Sequence, residues 1–228
     1  MDFVKIVRSV EEALYEVMSW LIFYPLTLWR VLRHPLKTMR YSDAEQRDKP
    51  EEQYLETLSP PLFLVQSLLL NHGMGMLTPA EPAMETQVGR LIEGSVQNMM
   101  VFQSLLFSLH PLLFAAALVV FDGKKLNRDS LKAPFFAQCY LAGATAILVG
   151  LSALFMETTG WLAATGVALL LGATVWYLNV QRQWLMKARN MTRIKALGLS
   201  VGIFGLCGLI MLVVLIVVSG VDLTELEG

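Results

Sequence analysis

The residues best suited to chemistry in this sequence are polar side chains inside otherwise apolar stretches. They are Gln66, Asn71, His72, Gln103 and His110. A polar group in lipid is costly unless another group satisfies it, so we expect these five to form a hydrogen-bonded cluster. Histidine titrates near neutral pH, and such a cluster is therefore typical of a path for protons or small solutes.

A structural role is the alternative interpretation of the same residues. His72 lies near the outer end of its apolar stretch, where it can reach water. His110 precedes Pro111, and a proline inside a helix leaves a backbone carbonyl free to accept a hydrogen bond. No charged residue lies centrally in any apolar stretch, which disfavours an ion-coupled pump.

Enzymatic chemistry is not predicted. The sequence contains no nucleophile–base arrangement, phosphate loop, zinc-protease helix or dinucleotide-binding turn. Cys139 and Cys207 lie in apolar runs without the spacing of a metal or redox site. We therefore expect no catalytic residue, no metal and no cofactor, and a protein that is not an enzyme.

The composition predicts a membrane protein. Hydrophobic residues make up 55% of the 228 residues and charged residues only 16%, against about 25% charged in soluble domains. The apolar residues form runs, which predict an all-α polytopic membrane bundle with five transmembrane helices over residues 60–220. These spans cover about 61–77, 99–121, 133–156, 161–180 and 196–219. The first is marginal in length, and an acidic tail (221–228) follows the last.

Residues 1–40 predict an amphipathic, basic helical segment on the membrane surface. The four basic residues Arg30, Arg33, Lys37 and Arg40 are spaced to line one helical face, and aromatic residues precede them. This combination is typical of a helix in the headgroup layer. Packing on a partner protein is one alternative, and a re-entrant or spanning stretch at residues 17–32 is another. Residues 41–59 predict a solvated cytoplasmic linker.

The positions of the basic residues predict the orientation. All lysines and arginines except Arg90 lie before residue 60, within 122–132 or within 181–195. Five spans place all three groups on one side, and the positive-inside rule makes that side cytoplasmic. We expect a bacterial inner membrane protein with a cytoplasmic N-terminus and a periplasmic C-terminus.

The last basic group is predicted to attract anionic lipids at about 1 kcal/mol per base. Its residues are Arg182, Lys187, Arg189, Arg193 and Lys195. Nucleic acid is not expected as a partner.

Small residues recur on one face of each of the last three predicted spans. The three sets are Ala142, Ala146 and Gly150; Ala164, Ala168 and Gly172; and Gly198, Gly202 and Gly205. Such faces let helix backbones approach closely. They predict packing within one bundle or assembly between subunits.

The arrangement of spans resembles the Yip family, and the resemblance covers roughly residues 58–220. The sequence Leu58-Ser59-Pro60-Pro61-Leu62-Phe63 stands where that family begins its first span. The chain also looks like bacterial membrane proteins that combine a WRxLRHP segment (here Trp29–Pro35) with an SPPLFL segment (here Ser59–Leu64), which are often labelled permeases. The resemblance implies a cytoplasmic N-terminal region, five closely spaced spans and a scaffold or accessory role.

Together these observations predict a non-enzymatic integral membrane protein that acts as a scaffold, a lipid-organising protein or an accessory subunit. We expect a homo-oligomer or a subunit of a larger membrane complex, in contact with the lipid bilayer and its anionic lipids. The alternative is a small permease or channel whose polar cluster lies between the first two spans.

Overall fold

The computed structural model of this chain describes residues 3–49, 52–77 and 86–219, and within these ranges the only regular elements are helices. In chain order the helices are α1 (Phe3–Arg33), α2 (Pro35–Glu45), α3 (Pro60–Gly75), α4 (Gln87–Glu93), α5 (Val96–Phe121), α6 (Arg128–Met156), α7 (Trp161–Arg189) and α8 (Arg193–Ser219). The predicted all-helical architecture is confirmed. The predicted acidic tail lies outside the described residues.

Four helices are long and apolar enough to cross a membrane: α5, α6, α7 and residues Arg193–Val218 of α8. They correspond to the last four predicted spans. The first predicted span corresponds to α3, which has 16 residues. At 1.5 Å per residue α3 is about 24 Å long, shorter than a hydrocarbon core of about 30 Å.

Helix α7 continues well beyond the predicted end of its span, and α8 begins three residues before the predicted start of its own. Helix α7 ends at Arg189, and Asn190 then adopts a left-handed conformation with φ of 50°, a common way to end a helix. Helix α8 begins at Arg193. The last basic group therefore lies mostly on helical turns at the ends of two spans.

Helix α6 is the centre of the bundle, because α1, α2, α3, α5 and α7 all pack against it. Its start is fixed by a capping box in which Asn127 and Ser130 each bond the other's backbone N–H. Its buried positions are mostly small: Ala137, Ala144 and Ala146 have no exposed surface. Small side chains let five neighbours approach one helix.

The two N-terminal helices pack on the bundle. Helix α1 runs through Pro25 and ends at Arg33, one residue before the break at His34. Helix α1 contacts α3 and α6, and α2 contacts α6 and α7. Val31 and Met39 are each only 1% exposed, so this segment has a core-facing side as well as an outer one.

The segment predicted as a solvated linker is partly buried. The backbone N–H of Leu58 donates to Thr27 Oγ1 at 3.2 Å, and the Tyr140 hydroxyl donates to the Leu58 carbonyl at 2.7 Å. The Thr57 hydroxyl lies 3.0 Å from the same Tyr140 oxygen. These bonds fix the start of α3 against α1 and α6.

Members of all three groups of basic residues, Arg47, Lys124 and Arg189, meet at one end of the bundle. Arg189 at the end of α7 donates to Asp122, after α5, at 2.8 Å. A cavity at this end is lined by residues of α2, the α5–α6 connection and α7. At the opposite end, the Thr86 hydroxyl donates to the Val218 carbonyl near the end of α8.

Candidate functional site

A basic cavity of about 320 Å³ lies where α1 meets α2, and we call it the hinge pocket. Arg30, His34 and Lys37 line it together with Thr38, Tyr41 and Glu56. The pocket exists because α1 stops at Arg33 and α2 restarts at Pro35, which turns the chain around His34. The turn is held by Thr38, whose hydroxyl donates to the His34 carbonyl at 3.1 Å.

The hinge pocket carries more positive than negative charge. Arg30 donates to the Glu56 carbonyl at 3.2 Å and forms an ion pair with its carboxylate at 3.5 Å. Among the described residues, Glu56 is the only acidic one that lines the pocket, and its side chain is 73% exposed. Within the same residues, Lys37 has no lining carboxylate of its own. Burial raises the pKa of Tyr41 to about 12, so this phenol stays a neutral donor.

The predicted basic stripe divides into two pairs because of the break at His34. Arg30 and Lys37 line the hinge pocket, whereas Arg33 and Arg40 do not. The Arg33 guanidinium lies over the Trp29 ring, 5.6 Å from its centroid. Arg40 donates to its own helix at the Leu36 carbonyl, at 3.2 Å.

Of the other predicted basic residues, Arg189 lines a second cavity at the same end of the bundle, with a volume of about 420 Å³. Its lining has mixed charge: Arg47, Lys124 and Arg189 are present with Asp43, Asp122 and Asp129. Burial raises the pKa of Asp43 to about 6, although Arg189 and Arg47 act to lower it. Lys187, Arg193 and Lys195 are exposed nearby, and Arg182 donates to Asn179 at 2.7 Å.

The five residues of the predicted polar cluster occupy separate surroundings. The structure records no side-chain hydrogen bond between any two of them in its described residues. His110 packs against the rings of Tyr177 and Phe204, with centroids 6.1 Å and 5.6 Å away. Gln103 is half-buried on α5.

The three members of the cluster on α3 also point to different places. The Asn71 side chain lies against Gly150 of α6. His72 is half-buried, and its Nε2 has no hydrogen-bond partner in the described part of the chain. Gln66 is 8% exposed, and its Nε2 also lacks a partner there.

Gln66 lines an apolar groove of about 350 Å³ between α1 and α3, which we call the α1–α3 groove. The other lining residues are apolar or aromatic, among them Val17, Trp20, Leu21, Tyr24, Leu69 and Leu70. The Tyr24 hydroxyl lies 3.0 Å from Ser67 Oγ and the Tyr24 ring stacks on Phe63, 5.2 Å between centroids. These contacts hold the two helices together beside the groove.

A buried amide pair was not anticipated from the sequence. Gln138 of α6 and Gln181 of α7 exchange two hydrogen bonds, of 3.1 Å and 2.6 Å, and Gln181 also donates to the Tyr177 hydroxyl at 3.0 Å. Gln138 lies between Ala137 and Cys139 in an apolar run, and that isolation is the signal that could have identified it. Its partner is 43 residues away, and no local pattern indicates it.

The small-residue faces differ in their surroundings. Ala142, Ala146 and Gly150 are buried on α6, next to α3. Ala164, Ala168 and Gly172 on α7 are exposed, as are Gly198, Gly202 and Gly205 on α8. A Cβ atom added to any of these four outer glycines would meet no atom within 4 Å.

No protein family, curated protein or solved structure matches this chain. The Yip-family resemblance therefore remains a prediction, and the function must be argued from the cavities and surfaces themselves.

Proposed function

We propose that this chain is a non-enzymatic integral membrane protein that organises anionic lipids at its basic end. The hinge pocket carries the proposal, because Arg30, His34 and Lys37 converge there and only one exposed carboxylate opposes them. Phosphate and carboxylate headgroups are the anions that a membrane offers to such a pocket, and juxtamembrane basic residues attract them.

The surface of α1 supports a headgroup-level position for the pocket. Apolar side chains are exposed along the helix just before it: Leu14, Val17, Met18, Leu21, Ile22, Leu26 and Trp29. Soluble proteins rarely expose an apolar patch of this extent. Contact with lipid acyl chains accounts for this exposed patch. The hinge pocket comes directly after the patch along α1, which puts its basic residues at the level of the lipid headgroups.

The proposed topology has five spans, with α3 as the short one and the basic end in the cytoplasm of a bacterial cell. Exposed apolar residues on α3 (Val65, Leu69 and Leu70) support lipid contact for this helix. Gly143 of α6 faces Phe63, and Gly150 faces Met74, so α3 runs in the same direction as the second half of α6. Helix α2 and residues 52–58 fill the space between the start of α3 and the basic end of the bundle, so a helix of 16 residues is long enough to occupy the rest.

The test measures retention of anionic lipid by the detergent-purified protein, using native mass spectrometry with phosphatidylglycerol and phosphatidylcholine. Replacing Arg30 and Lys37 together by Gln should weaken phosphatidylglycerol retention roughly 30-fold, at about 1 kcal/mol per base. The matched control replaces Arg33 and Arg40, which carry the same charge outside the pocket. Equal losses of phosphatidylglycerol retention in both variants would mean that the pocket binds the lipid no better than any other basic surface of the protein. No loss in either variant would refute the proposal.

We further propose that the protein acts as an oligomer or an accessory subunit. The open small-residue faces of α7 and α8 support this part, since a membrane helix with exposed glycines can accept another helix at close range. The native mass of the purified protein, with identification of co-purifying chains, tests it. A monomer without a partner would contradict it.

A small permease is the second candidate function. The observation that favours it is that Gln66 Nε2 and His72 Nε2 on α3 are buried and have no hydrogen-bond partner among the residues that the structure describes. Proton and small-solute flux into proteoliposomes should then fall in the variant that combines His72→Ala with His110→Gln. Unchanged flux would exclude a permease built on these histidines.

A further inference from the structure

The α1–α3 groove combines an apolar wall with an unmet hydrogen-bond donor just behind it. Gln66 lines the groove but is only 8% exposed, and its Nε2 is buried with no acceptor among the described residues. The rest of the lining offers carbon surface, chiefly from Val17, Leu21, Leu69 and Leu70. A buried donor left without a partner is costly, so the groove is complementary to an apolar molecule with an acceptor oxygen at one position.

The side from which an occupant arrives follows from the exposure of the walls. Val17 is 48% exposed, Leu21 67%, Leu69 41% and Leu70 49%. Under the proposed membrane location, on which this inference rests, these side chains face acyl chains. A molecule that fills the groove therefore comes from the bilayer, and its apolar part is an acyl chain.

The depth of Gln66, measured along the neighbouring helix α1, fits the ester region of a lipid. The Tyr24–Ser67 contact places Gln66 level with Tyr24. Arg30 in the hinge pocket is six residues further along, or about 9 Å at 1.5 Å per residue. The headgroup layer is roughly 5–8 Å thick on each side of the hydrocarbon core. If Arg30 meets phosphates, Gln66 lies where ester carbonyls begin.

We propose that the α1–α3 groove binds a glycerolipid: the Gln66 amide turns toward the groove so that Nε2 donates to an ester carbonyl, and one acyl chain lies between Leu21 of α1 and Leu70 of α3. An ester carbonyl is an acceptor without a donor, which matches the single unmet N–H group. The volume of about 350 Å³ is within the range of small-ligand sites. Headgroup charge plays no part in this contact.

The experiment compares two phosphatidylcholines with the same headgroup and chains, one diester-linked and one diether-linked. Native mass spectrometry of the full-length protein in mild detergent measures the retention of each. The wild type should retain the diester lipid about three- to tenfold more tightly, which is the effect expected of one hydrogen bond. Gln66→Met keeps the volume of the side chain and removes the donor, so it should bind both lipids at the diether level.

Two controls make the outcomes distinguishable. Gln103→Met makes the same change on α5, outside the groove, and should keep the diester preference. Replacement of Arg30 and Lys37 by Gln should also keep it, even if the hinge pocket proves not to bind anionic lipid. Equal retention of both lipids by the wild type, or a preference that survives Gln66→Met, would overturn the inference. If the Gln66→Met variant has a smaller native mass than the wild type, a second copy of the chain, and not a lipid, fills the groove.

Discussion

The glycine-bearing faces of α6 and α8 have the same type of sequence and opposite environments. On α6, a Cβ atom added to Gly143 would lie 2.8 Å from Phe63 Cε1, and one added to Gly150 would overlap Asn71 Oδ1. On α8, Gly198, Gly202, Gly205 and Gly208 have open space at the same position. Small residues that recur on one side of a helix therefore predict a face that another helix can approach closely, but they do not indicate what covers that face.

The polar residues of the two helices show the same contrast. Gln138 of α6 depends on another helix, because its amide is satisfied by Gln181 of α7. Ser200 of α8 is buried and donates to the Ala196 carbonyl one turn earlier at 2.8 Å. Gln138 therefore ties α6 to a neighbouring helix, whereas the side-chain bond of Ser200 is made within α8.

The largest effect on this comparison is expected from Gly143→Ala. The Phe63 ring cannot retreat, because it has no exposed surface and lies between Tyr24 and Tyr140. Overpacking of this kind should lower the free energy of unfolding by about 1–3 kcal/mol, measured by denaturation in mixed micelles. Gly202→Ala is the matched control and should be neutral or slightly stabilising, since alanine favours a helix more than glycine does. Equal losses at both positions would contradict the contrast.

Gln181→Leu is expected to have the next largest effect. The substitution leaves the Gln138 amide buried without its partner, which should cost about 1–3 kcal/mol of unfolding free energy. The double variant with Leu at both positions removes both amides and should recover part of that loss. Denaturation of the two single variants and the double variant gives the coupling energy, and a value near zero would mean that the pair does not stabilise the bundle.

A pair of leucines on α8, Gly198→Leu with Gly202→Leu, should change assembly more than stability. Both positions are open within one chain, so the unfolding free energy should move by less than about 0.5 kcal/mol, as at ordinary surface sites. If another subunit covers this face, the native mass should fall. Leu215→Phe adds bulk at another exposed position of α8 and should leave the native mass unchanged. A native mass that the two leucines do not change would mean that lipid, and not another subunit, covers the glycine face of α8.

The smallest effect is expected from Asp43→Asn at the basic end. The pKa of Asp43 is raised from 3.8 to about 6, chiefly by burial. Protonation therefore favours the folded state: the free energy of unfolding should be highest below about pH 4, fall between pH 4 and 6, and level off above. Asn should remove this dependence and stabilise the protein at pH 7.5 by less than about 1 kcal/mol, because solvent screens the partly exposed carboxyl. Melting temperatures at pH 4.5 and 7.5 check the sign.

The sequence was sufficient for the coarse architecture because long apolar runs and clustered basic residues are local features. It also indicated that the first span is marginal in length, but it could not indicate that α2, a polar segment with buried Thr38, Met39 and Ser42, packs against α6. It also placed Gln66 and His110 in one cluster, because residue type alone does not give the direction of a side chain on its helix. The Gln138–Gln181 pair joins positions 43 residues apart, and a single sequence contains no signal for such a partner.

The bonds of the Tyr140 hydroxyl have a consequence for the order of biosynthesis. The Leu58 carbonyl accepts a bond from a residue 82 positions later in the chain. At about 5–20 residues per second, a ribosome needs roughly 4–16 s to add those residues. During that interval the start of α3 has no access to its final partner on α6, and α3 is short for a span. Helices α1 to α3 therefore reach their final packing only after α6 has been made, and the N-terminal third of the protein completes its folding after the middle third.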